Sequence, residues 1–129
     1  MDLHRLAPAE RLRSFACALR GIAFVFRSQP NAWIMAFAIA VVVAAGILFR
    51  VDRLEWALIA LAVFLVVIAE TVNTAIEQLT DLACPERHPL AARAKDAAAG
   101  AVLLAVLFSV LAAAMVFGAR FAGIVRHLL

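Results

Sequence analysis

Four polar side chains recur along one stretch of an otherwise apolar sequence, at steps of three, four and four residues: Glu70, Asn73, Glu77 and Asp81. On a helix this spacing places all four on one face, with Thr74 beside them. Carboxylates grouped in this way repel one another unless a cation neutralises them. The cation could be a divalent metal ion, or the lysine and arginine side chains at the same level of a helix bundle.

The residue types favour Mg²⁺ as the metal, because carboxylate and amide oxygens suit this ion, which keeps several waters and is shared with substrate phosphates. Lys95 could neutralise phosphate charge, and a glutamate at the membrane boundary could take a proton from a lipid hydroxyl. A base, a metal ligand and a phosphate cation together predict phosphoryl transfer. In a purely structural interpretation, the stripe hydrogen-bonds neighbouring helices and Lys95 pairs with Asp96 or Glu77.

The composition places these residues in a membrane protein. Of the 129 residues, 67% are hydrophobic and 16% are charged, and the mean hydropathy is +1.01. Soluble domains carry about 45–50% apolar and about 25% charged residues, and a soluble chain this short cannot bury so much apolar side chain. We therefore predict a single all-α integral membrane domain over residues 1–129, in contact with the lipid bilayer.

The hydrophobic pattern divides this domain into a surface helix and three transmembrane helices. Residues 9–28 combine an apolar stripe with a cationic flank, which predicts an amphipathic helix at the membrane surface. Apolar spans follow at about 32–49, 54–83 and 91–119. Trp56 is expected at the membrane interface, and the small residues at 97–101 and 112–114 are expected to allow close helix packing.

Basic residues predict the orientation of these spans. Eight of the twelve lysines and arginines lie on the side of the N-terminus and the 84–96 loop, and four lie on the other side. The positive-inside rule then places the N-terminus and the acidic half of the second span in the cytoplasm. The basic residues form no run and the aromatic residues no stacking pattern, so no nucleic-acid partner is expected. Glycine-rich nucleotide loops are also absent, which excludes a soluble-type kinase.

Two blocks of the sequence resemble the prokaryotic diacylglycerol kinase family: E-T-V-N-T-A-I-E-Q-L-T-D from Glu70 to Asp81, and H-P-L-A-A-R-A-K-D-A-A-A-G-A-V-L-L from His88 to Leu104. The resemblance covers essentially the whole chain. It implies a homotrimeric lipid kinase of the bacterial inner membrane that transfers the γ-phosphate of ATP to a lipid alcohol with Mg²⁺, at sites shared between subunits. The lipid is diacylglycerol in one branch and undecaprenol in the other. The second block is somewhat closer to the undecaprenol branch.

The resemblance also implies a role for each polar residue. Glu70 would be the catalytic base at the lipid substrate's hydroxyl, and Glu77 would ligate Mg²⁺ with support from Asn73. Gln29 stands where the family usually has a second metal-binding glutamate, so an uncharged amide oxygen would take that place. The residues implied to contact or lie near ATP are Glu77, Glu86, His88, Lys95 and Asp96.

Two interpretations come from other classes of protein. A small multi-span ion-coupled transporter also keeps intramembrane carboxylates, and Glu70 and Glu77 would then be its coupling groups. Such groups belong near the bilayer midplane, whereas these follow 13 apolar residues and lie at the predicted boundary. A structural subunit without activity would tolerate substitution along residues 70–81.

Overall fold

The computed structural model describes the backbone of residues 8–28 and 32–128, which form four helices. They are α1 (Pro8–Ser28), α2 (Ala32–Leu48), α3 (Arg53–Ala83) and α4 (Pro89–Leu128). No strand occurs within these residues. The predicted helices agree with the observed ones except at the C-terminal end, where α4 does not stop at residue 119 but continues to Leu128. Arg120, at which the apolar span was predicted to end, lies within this helix and forms an ion pair with Glu55 of α3.

Two of the helices are long and apolar enough to cross a membrane, namely Arg53–Ala83 and the Pro89–Gly123 part of α4. The 31 residues of α3 extend over about 46 Å, well beyond a hydrocarbon core of about 30 Å. The predicted first span corresponds to α2, which has 17 residues. A third crossing results if Leu12–Ser28 and Ala32–Leu48 are counted together as one bent span.

The chain exposes far more surface than a soluble protein of its mass. Its accessible surface is 10299 Å², whereas a soluble monomer of this size has about 6,700 Å². Large apolar side chains such as Trp33, Phe37, Leu104 and Met115 are more than two-thirds exposed. Burial of such side chains away from water is the main favourable term in folding and association. Lipid or another protein surface therefore has to cover these helices.

The pairing of α3 with α4 builds the centre of the fold. On α4, small residues at intervals of seven are buried: Ala98, Ala105 and Ala112. A seven-residue interval keeps one seam of a helix against an antiparallel partner, and methyl side chains let the two backbones come close. Gly100 is not part of this seam, because a Cβ built on it meets no atom of another described helix within 4 Å.

The turn between α2 and α3 is short and closed by its own hydrogen bonds. Arg50 adopts the left-handed conformation, with φ of 51°, and the N–H of Val51 donates to the carbonyl of Gly46 at 3.1 Å. This is the Schellman arrangement that ends many helices. Asp52 then caps α3, because its carboxylate accepts from the N–H of Glu55 at 2.9 Å, and the Glu55 carboxylate accepts from the N–H of Asp52 at 2.8 Å.

An apolar cluster lies next to this turn. It contains Val51, Ile59, Val116 and Phe117, with the half-buried Trp56 packed against it. The indole ring of Trp56 also lies directly on α2, since a Cβ built on Gly46 would come within 2.8 Å of Cη2. The sequence predicts Trp56 at the membrane interface, and the structure adds that its ring packs against α2 at Gly46, a position without a side chain.

Candidate active site

Glu70 lies in the wall of an apolar groove between α2, α3 and α4. The groove has a volume of about 380 Å³, and its other described lining residues are apolar apart from Ser109. The Glu70 side chain is half-buried. A carboxylate in such surroundings is partly shielded from water, and it is the only charged group that the described residues contribute to the groove.

One turn further along α3, Asn73 and Glu77 form a hydrogen-bonded pair. The Asn73 amide donates from Nδ2 to Oε1 of Glu77 at 3.1 Å, which confirms that the two side chains share a helix face. Asn73 is 7% exposed, and its Oδ1 atom is buried without a hydrogen-bond partner. Thr74 is buried beside it and donates its hydroxyl proton to the carbonyl of Glu70 at 2.9 Å. A buried acceptor without a hydrogen bond is costly. Binding of a ligand would therefore be favoured at Oδ1.

A second, polar cavity of about 540 Å³ lies where α3 ends and α4 begins. Lys95 lies in its wall, and its Nζ atom is 2.5 Å from Oδ1 of Asp81. The structural interpretation of the sequence paired Lys95 with Asp96 or Glu77, but the ion pair given by the structure is with Asp81. The antiparallel helices bring residues 81 and 95 to the same level, whereas Asp96 is exposed and lies outside the cavity wall.

Two loop residues predicted near the nucleotide, Glu86 and His88, also line the polar cavity. His88 has a structural contact of its own, because its Nδ1 atom accepts a hydrogen bond from the N–H of Leu90 at 3.2 Å. It therefore caps α4, with Pro89 in the first helical position, where its missing N–H has no cost. This arrangement leaves Nε2 of His88 as the ring atom that remains for a contact in the cavity.

The structure describes only some of the residues that are predicted to hold Mg²⁺. Gln29 lies outside the described residues, and among the residues that are described no three of His, Cys, Asp and Glu come together as a metal site. The Glu77 carboxylate and the buried Oδ1 of Asn73 are nevertheless the hard oxygen donors that Mg²⁺ takes. This ion commonly uses one or two protein oxygens and completes its shell with waters and phosphates, so these residues fit it.

The ion pair between Glu55 and Arg120 was not foreseen from the sequence. Arg120 donates from Nη1 and Nη2 to the two carboxylate oxygens of Glu55, each at 2.7 Å, and also to the carbonyl of Val116. Bidentate pairs of this kind fix orientation as well as distance. The pair joins α3 to α4 at the end opposite Asp81 and Lys95. Once residues 81 and 95 are known to be level, antiparallel counting places Glu55 level with residue 121, next to Arg120, so the Asp81–Lys95 contact was the missing signal.

The fold and the site describe a helical membrane protein with a carboxylate in an apolar groove and a lysine in a polar cavity, the arrangement expected of an enzyme of the lipid kinase class. The chain belongs to the prokaryotic diacylglycerol kinase family, since the family model, described as prokaryotic diacylglycerol kinase, matches residues 16–117. This membership confirms the resemblance carried by the two sequence blocks. It leaves the transporter interpretation without support.

Individual relatives are named as kinases of two different lipids. The undecaprenol kinase of Bacillus subtilis (strain 168) is 37% identical over 114 residues, which cover 88% of this chain and 93% of that protein. A diacylglycerol kinase of Synechocystis is 41% identical over 101 residues, covering 78% of this chain and 58% of that protein. The diacylglycerol kinase of Escherichia coli (strain K12) is 31% identical over 112 residues, covering 80% and 90%.

Proposed function

We propose that this protein transfers the γ-phosphate of ATP to the hydroxyl of a membrane lipid, with Mg²⁺ as cofactor, on the cytoplasmic side of a bacterial inner membrane. The observation that carries the proposal is the position of Glu70 in the wall of the apolar groove. The groove and the polar cavity lie at the two ends of the polar stripe of α3 that runs from Glu70 to Asp81, with Asn73 and Glu77 between them. A lipid hydroxyl and a nucleotide phosphate would thus approach the same face from opposite ends.

Glu70 acts as the general base in this reaction. The lipid hydroxyl oxygen forms a bond to the γ-phosphorus while its proton passes to the Glu70 carboxylate. The bond between the γ-phosphorus and the β–γ bridging oxygen breaks, and ADP leaves with that oxygen. Because the carboxylate is half-buried in an apolar wall, a lipid in the groove excludes water, which would otherwise compete as the acceptor.

Glu77 and Asn73 are the described residues that would hold Mg²⁺, and we propose Gln29 as a further oxygen donor. When bound, the ion neutralises phosphate charge. Lys95 adds a positive charge in the polar cavity, and we propose that it binds ATP together with Asp96, Glu86 and His88. A bound cation and a lysine stabilise the negative charge that is spread over the phosphates during phosphoryl transfer.

We further propose a homotrimer with shared sites and a cytoplasmic N-terminus. The large exposed apolar surface supports an assembly within the bilayer, since part of that surface is then covered by other subunits. The distribution of basic residues supports the orientation, because the polar cavity falls on the side with more lysine and arginine. Diacylglycerol and undecaprenol are the two candidate acceptors, because the relatives are named as kinases of these lipids.

The direct test is phosphate transfer from radiolabelled ATP by the purified full-length chain in lipid vesicles with Mg²⁺. Diacylglycerol and undecaprenol are supplied separately as acceptors, and a radiolabelled lipid product is expected from at least one of them. Glu70→Gln should lower kcat by about 10²–10⁴-fold, the usual contribution of a general base. Glu10→Gln, which removes a carboxylate from exposed α1, should leave the rate unchanged. A Glu70→Gln variant with the original rate would contradict the assignment.

A further inference from the structure

Ser109 is the second polar residue in the apolar groove, and its hydroxyl makes no hydrogen bond to any described residue. Two other hydroxyl groups in the apolar part of the bundle behave differently. Thr71 and Thr74 each donate to the carbonyl four residues earlier on their own helix, at 2.7 and 2.9 Å. A hydroxyl without a partner is costly in apolar surroundings. The Ser109 hydroxyl therefore favours a groove occupant that offers it an oxygen.

The depth of Ser109 follows from the pairing of α3 with α4. The Asp81–Lys95 and Glu55–Arg120 ion pairs set the register of the two helices, so that Glu70 is level with residues 105–106 of α4. Ser109 then lies about one helical turn, or about 5 Å, further from the polar cavity than Glu70.

Beyond Ser109 lies a separate small cavity of about 20 Å³, which shares Ser109, Val42 and Val63 with the groove. Ser109 therefore lies at the end of the groove that is away from the polar cavity. A lipid that extends from Glu70 towards this end comes within reach of the Ser109 hydroxyl.

We propose that Ser109 donates a hydrogen bond to an ester carbonyl of the acceptor lipid and so selects a 1,2-diacylglycerol over a polyisoprenoid alcohol. In a diacylglycerol the ester carbonyls lie a few covalent bonds from the free hydroxyl, on the side of the acyl chains. With that hydroxyl at Glu70 and the chains in the groove, a carbonyl reaches the depth of Ser109. A polyisoprenoid alcohol has no second oxygen and leaves the serine unpaired. This inference rests on the proposed function.

The test compares three acceptors in vesicles with the full-length chain: 1,2-diacylglycerol, its 1,2-dialkylglycerol ether analogue, and undecaprenol. The wild type should show about fivefold higher kcat/KM for the ester than for the ether, the effect expected of one hydrogen bond. Ser109→Ala should abolish this preference by slowing the ester alone. Ser109→Thr, which keeps a hydroxyl, should retain the preference, and Ser109→Cys, which keeps the size but is a weak donor, should lose most of it.

Two results would overturn the inference. If Ser109→Ala lowers kcat/KM equally for all three acceptors, the serine has only a packing role. If the wild type does not distinguish ester from ether, or prefers undecaprenol to both glycerolipids, no ester carbonyl is recognised. A wild-type protein that phosphorylates none of the three acceptors would instead contradict the proposed function, and the inference with it.

Discussion

The ammonium of Lys95 lies 2.5 Å from a carboxylate oxygen of Asp81 and joins the beginning of α4 to the end of α3. The two side chains are 36% and 62% exposed, and ion pairs with such exposure contribute only about 0–1 kcal/mol to stability. The contact therefore matters less for folding than for the position of the lysine, which it holds in the wall of the polar cavity.

Replacement of Lys95 by methionine should reduce activity without unfolding the protein. If the ammonium binds phosphate, Lys95→Met removes a preorganised charge, and kcat/KM for ATP should fall by about 10²-fold. Asp81→Asn keeps the lysine but releases it, so a smaller loss is expected. Arg93→Met is the matched control, because Arg93 is an exposed cation on the same helix outside the cavity wall. Equal losses in the Lys95 and Arg93 variants would show a general effect of surface charge.

Replacement of Asn73 by alanine should weaken the binding of Mg²⁺ at Glu77. The change removes the buried Oδ1 atom that has no partner and also the amide that donates to Glu77. The Mg²⁺ concentration for half-maximal rate should rise about tenfold, as it does when groups around a metal site are lost. Thr71→Val, on the same helix, removes a hydroxyl that is already bonded to the backbone and should not shift this concentration. A shift in both variants would indicate distortion of α3.

Replacement of Gln29 by glutamate should strengthen Mg²⁺ binding. A carboxylate oxygen carries charge that the amide oxygen lacks, so the Mg²⁺ concentration for half-maximal rate should fall several-fold. Asn31→Asp adds the same charge two residues away and serves as the control. If the two variants shift the Mg²⁺ dependence equally, or if neither does, residue 29 is not a ligand.

Replacement of Gly46 by alanine should destabilise the bundle. The added methyl group would come within 2.8 Å of the Trp56 ring, and overpacking of this kind typically costs about 1–3 kcal/mol. Thermal unfolding in detergent should therefore begin at a lower temperature. Gly118→Ala is the control, because a Cβ at that position meets nothing within 4 Å and the change removes backbone entropy from the unfolded chain. An unchanged unfolding temperature for Gly46→Ala would show that Trp56 moves aside at little cost.

Local features of this protein could be predicted from the sequence because their causes are local. The steps of three and four residues from Glu70 to Asp81 place these side chains on one face of any helix, and the Asn73–Glu77 hydrogen bond is the direct result. The composition determined that the helices need a lipid environment. The two sequence blocks indicated the family, which the match over residues 16–117 confirms.

Contacts between helices could not be predicted in the same way. The partner of Lys95, the packing of Trp56 on Gly46 and the Glu55–Arg120 pair all depend on how far one helix is displaced along another. Periodicity within a single helix carries no information on that displacement. The same register places Ser109 about one helical turn further from the polar cavity than Glu70, in a groove formed by three helices. The sequence alone determined the class of protein and the face of α3 that bears its polar groups, whereas the tertiary structure decided what lies opposite each of them.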